Sequence, residues 1–246
     1  GITTVADFRR RDIALGGQGA PLTPLFHRAT FEKPGTLRAI INIGGIANIT
    51  LLFGDGVSSP LGYDTGPGNG LMDSWILQSL GEAYDDNGQW ASEGQVIPTL
   101  LEQFLKTPYL FKKAPKSTGR ELFNPEWLSQ QLVSFGDSIE PADLQATLLE
   151  FTAQTISTGI RKSHRPITEA YLCGGGAYNG ALVSRISALL NPIQVSTTEA
   201  LGILPGWVEA MAFAWLAQQT LSGKPGNEPT VTGASAASVL GAIHPA

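Results

Sequence analysis

Residues 38–53 read RAIINIGGIANITLLF, and they carry the strongest fold information in the sequence. The β-branched and apolar residues on either side of Gly44-Gly45 predict two strands, over residues 38–43 and 46–53. Two glycines between such runs are typical of a tight hairpin, because glycine readily adopts the positive φ angles that two-residue turns need. An antiparallel pair of strands is therefore the expected centre of the fold.

Farther along the chain, strands alternate with glycine-bearing loops and helices. A short strand at residues 62–64 leads into the loop 65–69, and a strand, glycine loop, helix and strand are predicted in order over residues 169–197. The strongest helix prediction covers residues 141–161, where Pro141 suits the first turn and an apolar stripe follows. This order of elements predicts an α/β fold. Further helices are predicted over residues 71–80, 96–106 and 124–134, and after Pro205.

The composition disfavours several classes of protein. The formal net charge is −5, whereas nucleic-acid-binding proteins usually display a basic surface. No segment has the length and apolar purity of a membrane span or the layout of a signal peptide. The single cysteine, Cys173, cannot form an internal disulfide. The sequence predicts a cytoplasmic protein that binds neither nucleic acid nor a membrane.

Metal and hydrolase chemistry find little support. His27, His164 and His244 lack metal-ligand spacing, so no metal-binding side chains are predicted. The GxSxG pattern of serine hydrolases is missing. Cys173, at a strand end, could be a nucleophile, but a small buried residue is the better-supported alternative.

Four glycine-bearing loops stand out, at residues 16–19, 42–45, 64–69 and 174–176. Glycine lets backbone N–H groups turn toward a ligand and lets phosphate come close. One such loop is more often structural, but four together favour a nucleotide or sugar-phosphate site. Neither the Walker pattern nor the GxGxxG dinucleotide pattern is present.

Asp64 is the strongest candidate for a catalytic residue. It stands at a predicted strand end directly before a glycine loop, where a carboxylate can act as a general base or hold a metal-bound phosphate. The alternative is an aspartate that caps the following helix or bonds within its own turn.

Other charged residues leave two interpretations open. Glu209 lies in an apolar helix, where it faces either solvent or a site. Asp7 and Arg9 could pair with each other or clamp a polar ligand. Arg9-Arg10-Arg11 fits a solvated turn as well as an anion site. The polar loop of residues 115–121 could close over a substrate or be an ordinary surface loop.

Eight longer motifs follow one another along the chain. Together, and in this order, they resemble the anhydro-N-acetylmuramic acid kinase family over essentially all of the sequence. They are VADFRRRDIALGGQGAPL (5–22), NIGGIANIT (42–50), GYDTGPGN (62–69), PKSTGRE (115–121), DLQATLLEFTA (143–153), CGGGAYN (173–179), EAMAFAWLA (209–217) and PGNEPTVTGA (225–234).

The resemblance implies the fold of actin, hexokinase and Hsp70, in which two α/β lobes flank a nucleotide cleft. Residues 10–222 are expected to form the second lobe, with a ribonuclease H-like mixed sheet and flanking helices. Residues 1–9 and 223–246 are expected to pack with a first lobe. Family members begin with a strand and a GTSxDG-type phosphate loop that this sequence lacks, so the 246-residue chain alone is expected to be a poor kinase.

The resemblance also implies a reaction. ATP and Mg²⁺ are the implied cofactors, and 1,6-anhydro-N-acetylmuramic acid is the implied substrate, opened by water and phosphorylated on O6 during cell-wall recycling. Asp64 is the implied catalytic base, and Glu209, Asp7 and Arg9 are implied on the substrate side. A homodimer is compatible with the resemblance. The implied nucleotide-binding residues are Asn42, Gly44, Gly45, Gly174, Gly175, Gly176 and Asn179.

Two other functions remain open from the sequence. One is a glycoside hydrolase that uses Asp64 and Glu209 as an acid–base pair without ATP. The other is a sugar-binding or regulatory lobe without catalysis.

Overall fold

The computed structural model describes residues 1–246, which form seven strands and ten α-helices. The strands are β1 (Thr4–Ala6), β2 (Arg38–Ile43), β3 (Ile46–Leu52), β4 (Leu61–Pro67), β5 (Glu169–Cys173), β6 (Gln194–Thr197) and β7 (Ala242–His244). The helices are α1 (Arg9–Ala14), α2 (Pro24–Phe31), α3 (Gly70–Leu80), α4 (Gln89–Glu93), α5 (Pro98–Leu105), α6 (Pro125–Phe135), α7 (Pro141–Arg161), α8 (Gly180–Leu190), α9 (Val208–Leu221) and α10 (Pro229–Thr232).

The main sheet has five strands in the order β4-β3-β2-β5-β6. β3 runs antiparallel to both β2 and β4, whereas β2, β5 and β6 are parallel to one another. This mixed sheet with one reversed strand is the ribonuclease H-like arrangement, and it confirms the α/β prediction. The parallel strands β2 and β5 end at the same edge of the sheet, so the loops that follow them lie side by side.

Helices cover both faces of the sheet. α7 packs on one face, where Ile41 and Ile49 join a core of 31 buried residues. Its Phe151 is fully buried and stacks on Trp127 of α6, and losing such a ring would cost about 3–5 kcal/mol. On the other face, α2 and α9 cover Ile40 and part of β3 in a smaller apolar cluster.

Proline, asparagine and glycine stand at the helix ends where their conformational preferences place them. Pro141 opens α7, and Asn124 caps α6 by accepting the N–H of Trp127 at 2.8 Å. Gly136 ends α6 in the left-handed conformation. α7, β2 and β5 have the predicted bounds.

Three local predictions need correction. The β2–β3 register places Ile43 opposite Ala47, so three residues rather than two form the turn. The N–H groups of the facing loop, residues 68–70, bond to the Gly44 and Gly45 carbonyls, and this contact shapes the turn. β4 extends to Pro67 and includes part of the predicted loop, because it pairs with β3 along that length. Helices α1 and α2 were not predicted, since their short segments lack a long apolar period.

The two ends of the chain lie together. β1 pairs with β7 in a separate antiparallel ribbon. Beneath it, Phe8, Leu216 and Leu240 form a small apolar cluster. None of the ten helices combines the length and the hydropathy of a membrane-spanning segment.

Candidate active site

A row of polar side chains crosses four strands of the main sheet. Asn42 on β2 lies opposite Cys173 of β5 on one side and opposite Asn48 of β3 on the other. Asn48 in turn lies opposite Asp64 of β4. Opposed residues point to the same face with Cβ atoms about 4.5–5.5 Å apart. This is the face opposite α7, because the alternate residues of β2 and β3 pack in the α7 core. The row therefore gathers Asp64 and the glycine loops on one surface.

Asp64 ends this row and is 5% exposed. Its Oδ2 accepts a hydrogen bond from the Thr118 N–H at 2.9 Å. The Asp64 N–H donates to the Lys116 carbonyl at 3.3 Å, and the Asp64 carbonyl accepts a hydrogen bond from the Tyr109 hydroxyl at 2.9 Å. No side-chain bond caps α3, so the capping alternative for Asp64 is wrong. The carboxylate accepts one hydrogen bond from the protein and keeps the rest of its acceptor capacity free.

Burial raises the pKa of the Asp64 carboxyl to about 6. The Thr118 N–H and the positive charges of Lys116 and Arg9 oppose this rise by favouring the carboxylate. A general base is most effective when its pKa lies near the working pH. Asp64 is thus ionised near neutrality and remains basic enough to take a proton.

The polar loop of residues 115–121 lies against the site rather than in open solvent. Lys116 is 8% exposed, and Thr118 bonds to Asp64 as described. Farther along, the Arg120 guanidinium lies beside Gly45, where an added Cβ would stand 3.5 Å from Nε. The surface-loop alternative is therefore wrong for Lys116 and Thr118.

The second and fourth glycine loops meet at the edge of the sheet. Gly174 has a φ of +78°, and an added Cβ would stand 2.5 Å from Asn42 Oδ1, so only glycine fits there. At Gly176 an added Cβ would collide with the Ile43 side chain, so this position also needs a glycine. Gly175, between them, is exposed. The Gly45 N–H has no hydrogen-bond partner within the protein and remains free to bind an anion.

The first glycine loop serves the structure instead. The Gly17 N–H bonds to the Asp12 carbonyl, the Gln18 N–H to the Thr232 carbonyl and the Gly19 N–H to the Asp12 carboxylate. None of these donors is left for a ligand.

A cavity of about 430 Å³ opens beside Gly175. Such a volume lies within the range of small-molecule sites, about 300–1,000 Å³. Asp73 lines this cavity, and burial raises the pKa of its carboxyl to about 6 despite the nearby Arg120 charge. Asn179 also lines it, but its Oδ1 is already used to cap α8 through the Leu182 N–H at 3.0 Å.

Glu209 lies at the other end of the polar row from Asp64. It is exposed in the first turn of α9. Burial, with a smaller contribution from the Glu209 charge, raises the pKa of the Cys173 thiol to about 12. Cys173 is completely buried and stays a thiol near neutral pH, which removes its role as a nucleophile.

Arg9 lies near Asp64, and Asp7 does not pair with it. Asp7 forms an ion pair with Arg10 at 3.1 Å, so of the two alternatives for Asp7 and Arg9 the mutual pair is wrong. Asp7 also has a φ of +62°, an uncommon conformation for a residue with a side chain. Arg9 is exposed and close enough to Asp64 to lower its pKa.

Comparison with known proteins decides the family. The sequence model described as anhydro-N-acetylmuramic acid kinase matches residues 1–246. The chain belongs to this family. Curated members include one from Coxiella burnetii (strain RSA 493 / Nine Mile phase I), 53% identical over 244 residues, and one from Thiobacillus denitrificans (strain ATCC 25259 / T1), 55% identical over 247 residues. The alignments cover 99% and 100% of this chain but 65% and 66% of those relatives. The chain thus spans about two thirds of the length of these family members.

Solved structures show more distant likeness. The activator of the 2-hydroxyisocaproyl-CoA dehydratase from Clostridium difficile, with bound ADPNP, is 16% identical with a TM-score of 0.45, over 80% of this chain and 68% of that chain. The Acidaminococcus fermentans (R)-2-hydroxyglutaryl-CoA dehydratase component A is 18% identical with a TM-score of 0.40, over 77% and 64%.

Three groups of the polar row and the neighbouring cavity were not singled out from the sequence. Asn48 stands between Asn42 and Asp64, and its buried Oδ1 has no partner. Asp73 was hidden within a helix, and Thr118 acts through its backbone N–H. The predicted two-residue turn would have placed Ala47 opposite Asn42, so only the observed three-residue turn brings Asn48 into the row.

Proposed function

We propose that the whole protein is an ATP-dependent kinase of 1,6-anhydro-N-acetylmuramic acid. It opens the anhydro bond with water and phosphorylates O6, which yields N-acetylmuramic acid 6-phosphate and ADP in cell-wall recycling. Family membership supports this reaction, and the carrying observation in the structure is the buried Asp64 carboxylate with its raised pKa. The cytoplasmic location and the homodimer stay predictions.

Asp64 is the proposed general base. It takes a proton from water as the water oxygen attacks the anomeric carbon, and the bond from that carbon to O6 breaks. The freed O6 then takes the γ-phosphoryl group of ATP. The single Thr118 hydrogen bond holds the carboxylate in one orientation and leaves its other lone pairs available to the water.

The edge of the sheet beside Gly45 is proposed to bind phosphate. The free Gly45 N–H and the adjacent Arg120 guanidinium are donors of the kind that stabilise a phosphoryl group. Asn42 and Gly44 border the same turn. Asn48 offers a further polar contact between this region and Asp64.

The cavity beside Gly175 is proposed to hold the nucleoside of ATP. Gly175 and Asn179 line it. Gly174 and Gly176, on either side of Gly175 in the chain, pack closely on Asn42 and Ile43 and so hold this loop at the edge of the sheet. No three His, Cys, Asp or Glu side chains form a group for a metal ion. A Mg²⁺ ion usually takes its ligands from nucleotide phosphates and water, and it needs few ligands from the protein. Bound in this way, the ion would offset the charge of the phosphates.

The sugar is proposed to bind on the Asp64 side of the polar row. Arg9 is an exposed cation there, and Asp7 stands two positions before it in the chain. Glu209 is proposed to contact the sugar from α9. Residues 10–222 are proposed as the second lobe, and residues 1–9 with 223–246 as the part that packs with a first lobe. The β1–β7 ribbon supports this division, because it stands apart from the main sheet.

The hydrolase alternative is weaker. Its acid–base pair needs two carboxyl groups about 5–9.5 Å apart. Asp64 lies on β4 and Glu209 lies near Cys173 on β5, and β3 and β2 lie between these strands. Three strand spacings correspond to about 14 Å. A sugar-binding lobe without catalysis remains the second candidate, since Arg9 and Asn48 could bind sugar without turnover.

The deciding experiment measures ADP release with the anhydro sugar, Mg²⁺ and ATP. It compares this chain, a version extended with the front segment of the Coxiella burnetii relative, and the extended Asp64→Asn variant. We expect sugar-dependent release from the extended protein and a loss of more than about a hundredfold in the variant.

Other outcomes separate the candidates. Sugar binding with no ADP release from any version would favour the binding lobe. Opening of the anhydro bond with no ATP present would favour the hydrolase. Turnover by the 246-residue chain alone would contradict the expectation that it is a poor kinase.

A further inference from the structure

A second and larger cavity lies on the opposite face of β4 from Asp64. Its volume is about 790 Å³. Tyr63 and Thr65, the neighbours of Asp64 on β4, form one wall, and the C-terminal half of α7 forms another. The segment that follows α5 closes the third side, from Leu110 to Lys116.

The charge of this cavity is opposite to that of the whole chain. Five of the sixteen lysine and arginine residues line it, and no aspartate or glutamate does. The chain as a whole has a net charge of −5. Cavities lined by one sign of charge concentrate ligands of the opposite sign. The five are Lys112, Lys113, Lys116, Lys162 and Arg165.

The four lysines have no carboxylate partner within the protein. The chain has five ion pairs, and only Arg165 among these residues takes part in one, with Asp55 at 2.9 Å. Lys116 is 8% exposed, yet its ammonium group has only the Tyr109 carbonyl at 3.4 Å and two aromatic rings. Burial, together with the nearby Lys162 and Lys112 charges, lowers the pKa of Lys116 to about 8, although the Asp64 charge opposes this shift. On the cavity side, Lys116 is grouped with other cations, and this arrangement favours an added anion.

Apolar and aromatic side chains line the rest of the cavity. Lys116 lies 4.6 Å from the Tyr109 ring centroid, and Arg165 lies 4.4 Å from that of Phe53. Phe111 at the rim is 68% exposed. These rings offer an apolar surface beside the positive charges, and the volume suits a small molecule rather than a macromolecule.

We propose that this cavity binds a phosphate monoester that carries an apolar or aromatic group. The phosphate lies among Lys112, Lys116 and Lys162, and the apolar group lies toward Phe53, Tyr63 and Phe111. The proposal does not depend on the kinase reaction, because the cavity lies on the opposite face of β4 from the polar row; Lys116 lines the cavity and also acts on the charge of Asp64.

Binding can be measured directly on the ¹⁵N-labelled chain. The probes are phenyl phosphate, which has the expected chemistry, and inorganic phosphate, which lacks the ring. Titration calorimetry gives Kd, and amide NMR shifts locate each probe. The test variant is Lys112→Gln/Lys162→Gln, and both residues are exposed, so folding should be retained and is checked by thermal unfolding. Lys106→Gln is the matched control, since Lys106 is exposed and does not line the cavity.

We expect phenyl phosphate to shift amides in residues 109–116 and 155–165 and to bind more tightly than inorganic phosphate. The double variant should weaken its binding at least about tenfold, while the control retains it. The same Kd in the double variant as in the unmodified chain would overturn the proposal. So would shifts confined to residues 42–45 and 174–179, or no saturable binding of either probe.

Discussion

Two buried aspartates of this protein have opposite surroundings. Asp12 is completely buried, and both of its carboxylate oxygens are occupied. Asn227 and Thr232 donate to Oδ1 at 2.7 Å each, and the Gly19 N–H donates to Oδ2 at 2.8 Å. Asp64 is 5% exposed and accepts only the Thr118 N–H.

The difference separates a structural carboxylate from a reactive one. The donors to Asp12 come from residues up to 220 positions away, so this side chain joins the two ends of the chain. Three hydrogen bonds compensate its lost hydration. Asp64 is poorly compensated, and burial raises its pKa to about 6. An incompletely satisfied buried carboxylate costs stability and is available to a substrate, which is the pattern expected of a catalytic group.

The largest expected effect is that of Asp64→Asn in the extended protein. We expect sugar-dependent ADP release to fall more than about a hundredfold, because the amide cannot accept the proton of water. We also expect the free energy of unfolding at pH 7 to rise by about 1–3 kcal/mol, since a buried charge is removed. Activity assays and urea unfolding measure the two effects. A variant that loses activity together with stability would mean that Asp64, like Asp12, is structural.

Asp12→Ala should have the opposite profile. It removes the acceptor of three hydrogen bonds and leaves buried donors unpaired. We expect a loss of about 2–4 kcal/mol in the free energy of unfolding, measured by urea denaturation. Activity per folded molecule should change far less than in Asp64→Asn. Unchanged stability would contradict the role given to Asp12.

The pH dependence of stability should also distinguish Asp64. Its pKa is about 6 in the folded protein and has an ordinary value of 3.8. The folded state therefore binds the extra proton between these values, and the free energy of unfolding falls as pH rises through this window. The fall should be at most about 3 kcal/mol and should level off above pH 6.

Urea unfolding from pH 4 to 7 checks this dependence. The informative quantity is the difference between the unmodified chain and Asp64→Asn, because Asp73 also has a raised pKa and titrates in both. A constant difference across this range would show that burial does not perturb Asp64 as described.

Some of the site was predictable from the sequence, because it depends on local signals. The β-branched and apolar run before Gly44-Gly45 predicted β2, and Pro141 with the apolar stripe that follows it predicted α7. Gly174 was recognisable as a special position, and its φ of +78° explains why. Asp64 was recognisable as a carboxylate directly before a glycine-bearing segment, but its placement at a strand end was wrong, because β4 continues to Pro67.

The remaining features depend on contacts between distant parts of the chain. Asp12 follows three arginines in the sequence, and nothing local marks it as buried; its bonds to Asn227 and Thr232 come from the other end of the chain. Thr118 acts on Asp64 through a backbone N–H, which any residue except proline would supply. The role of Asn48 required the register of two strand pairs.

The smallest expected effect comes from Lys116→Met in the extended protein. The positive charge of Lys116 lowers the pKa of Asp64, so its removal should raise that pKa further. The acid limb of the kcat/KM profile should then move to higher pH, with a loss of about two- to fivefold at pH 6 and little change at pH 8. Lys106→Met is the control, because Lys106 is exposed and is not among the charges that act on Asp64. A uniform loss at all pH values would mean that Lys116 positions the loop around Thr118 rather than tuning the charge of Asp64. An unchanged profile would mean that solvent screens Lys116 from the carboxylate, and Thr118 would then be the main group that keeps Asp64 ionised.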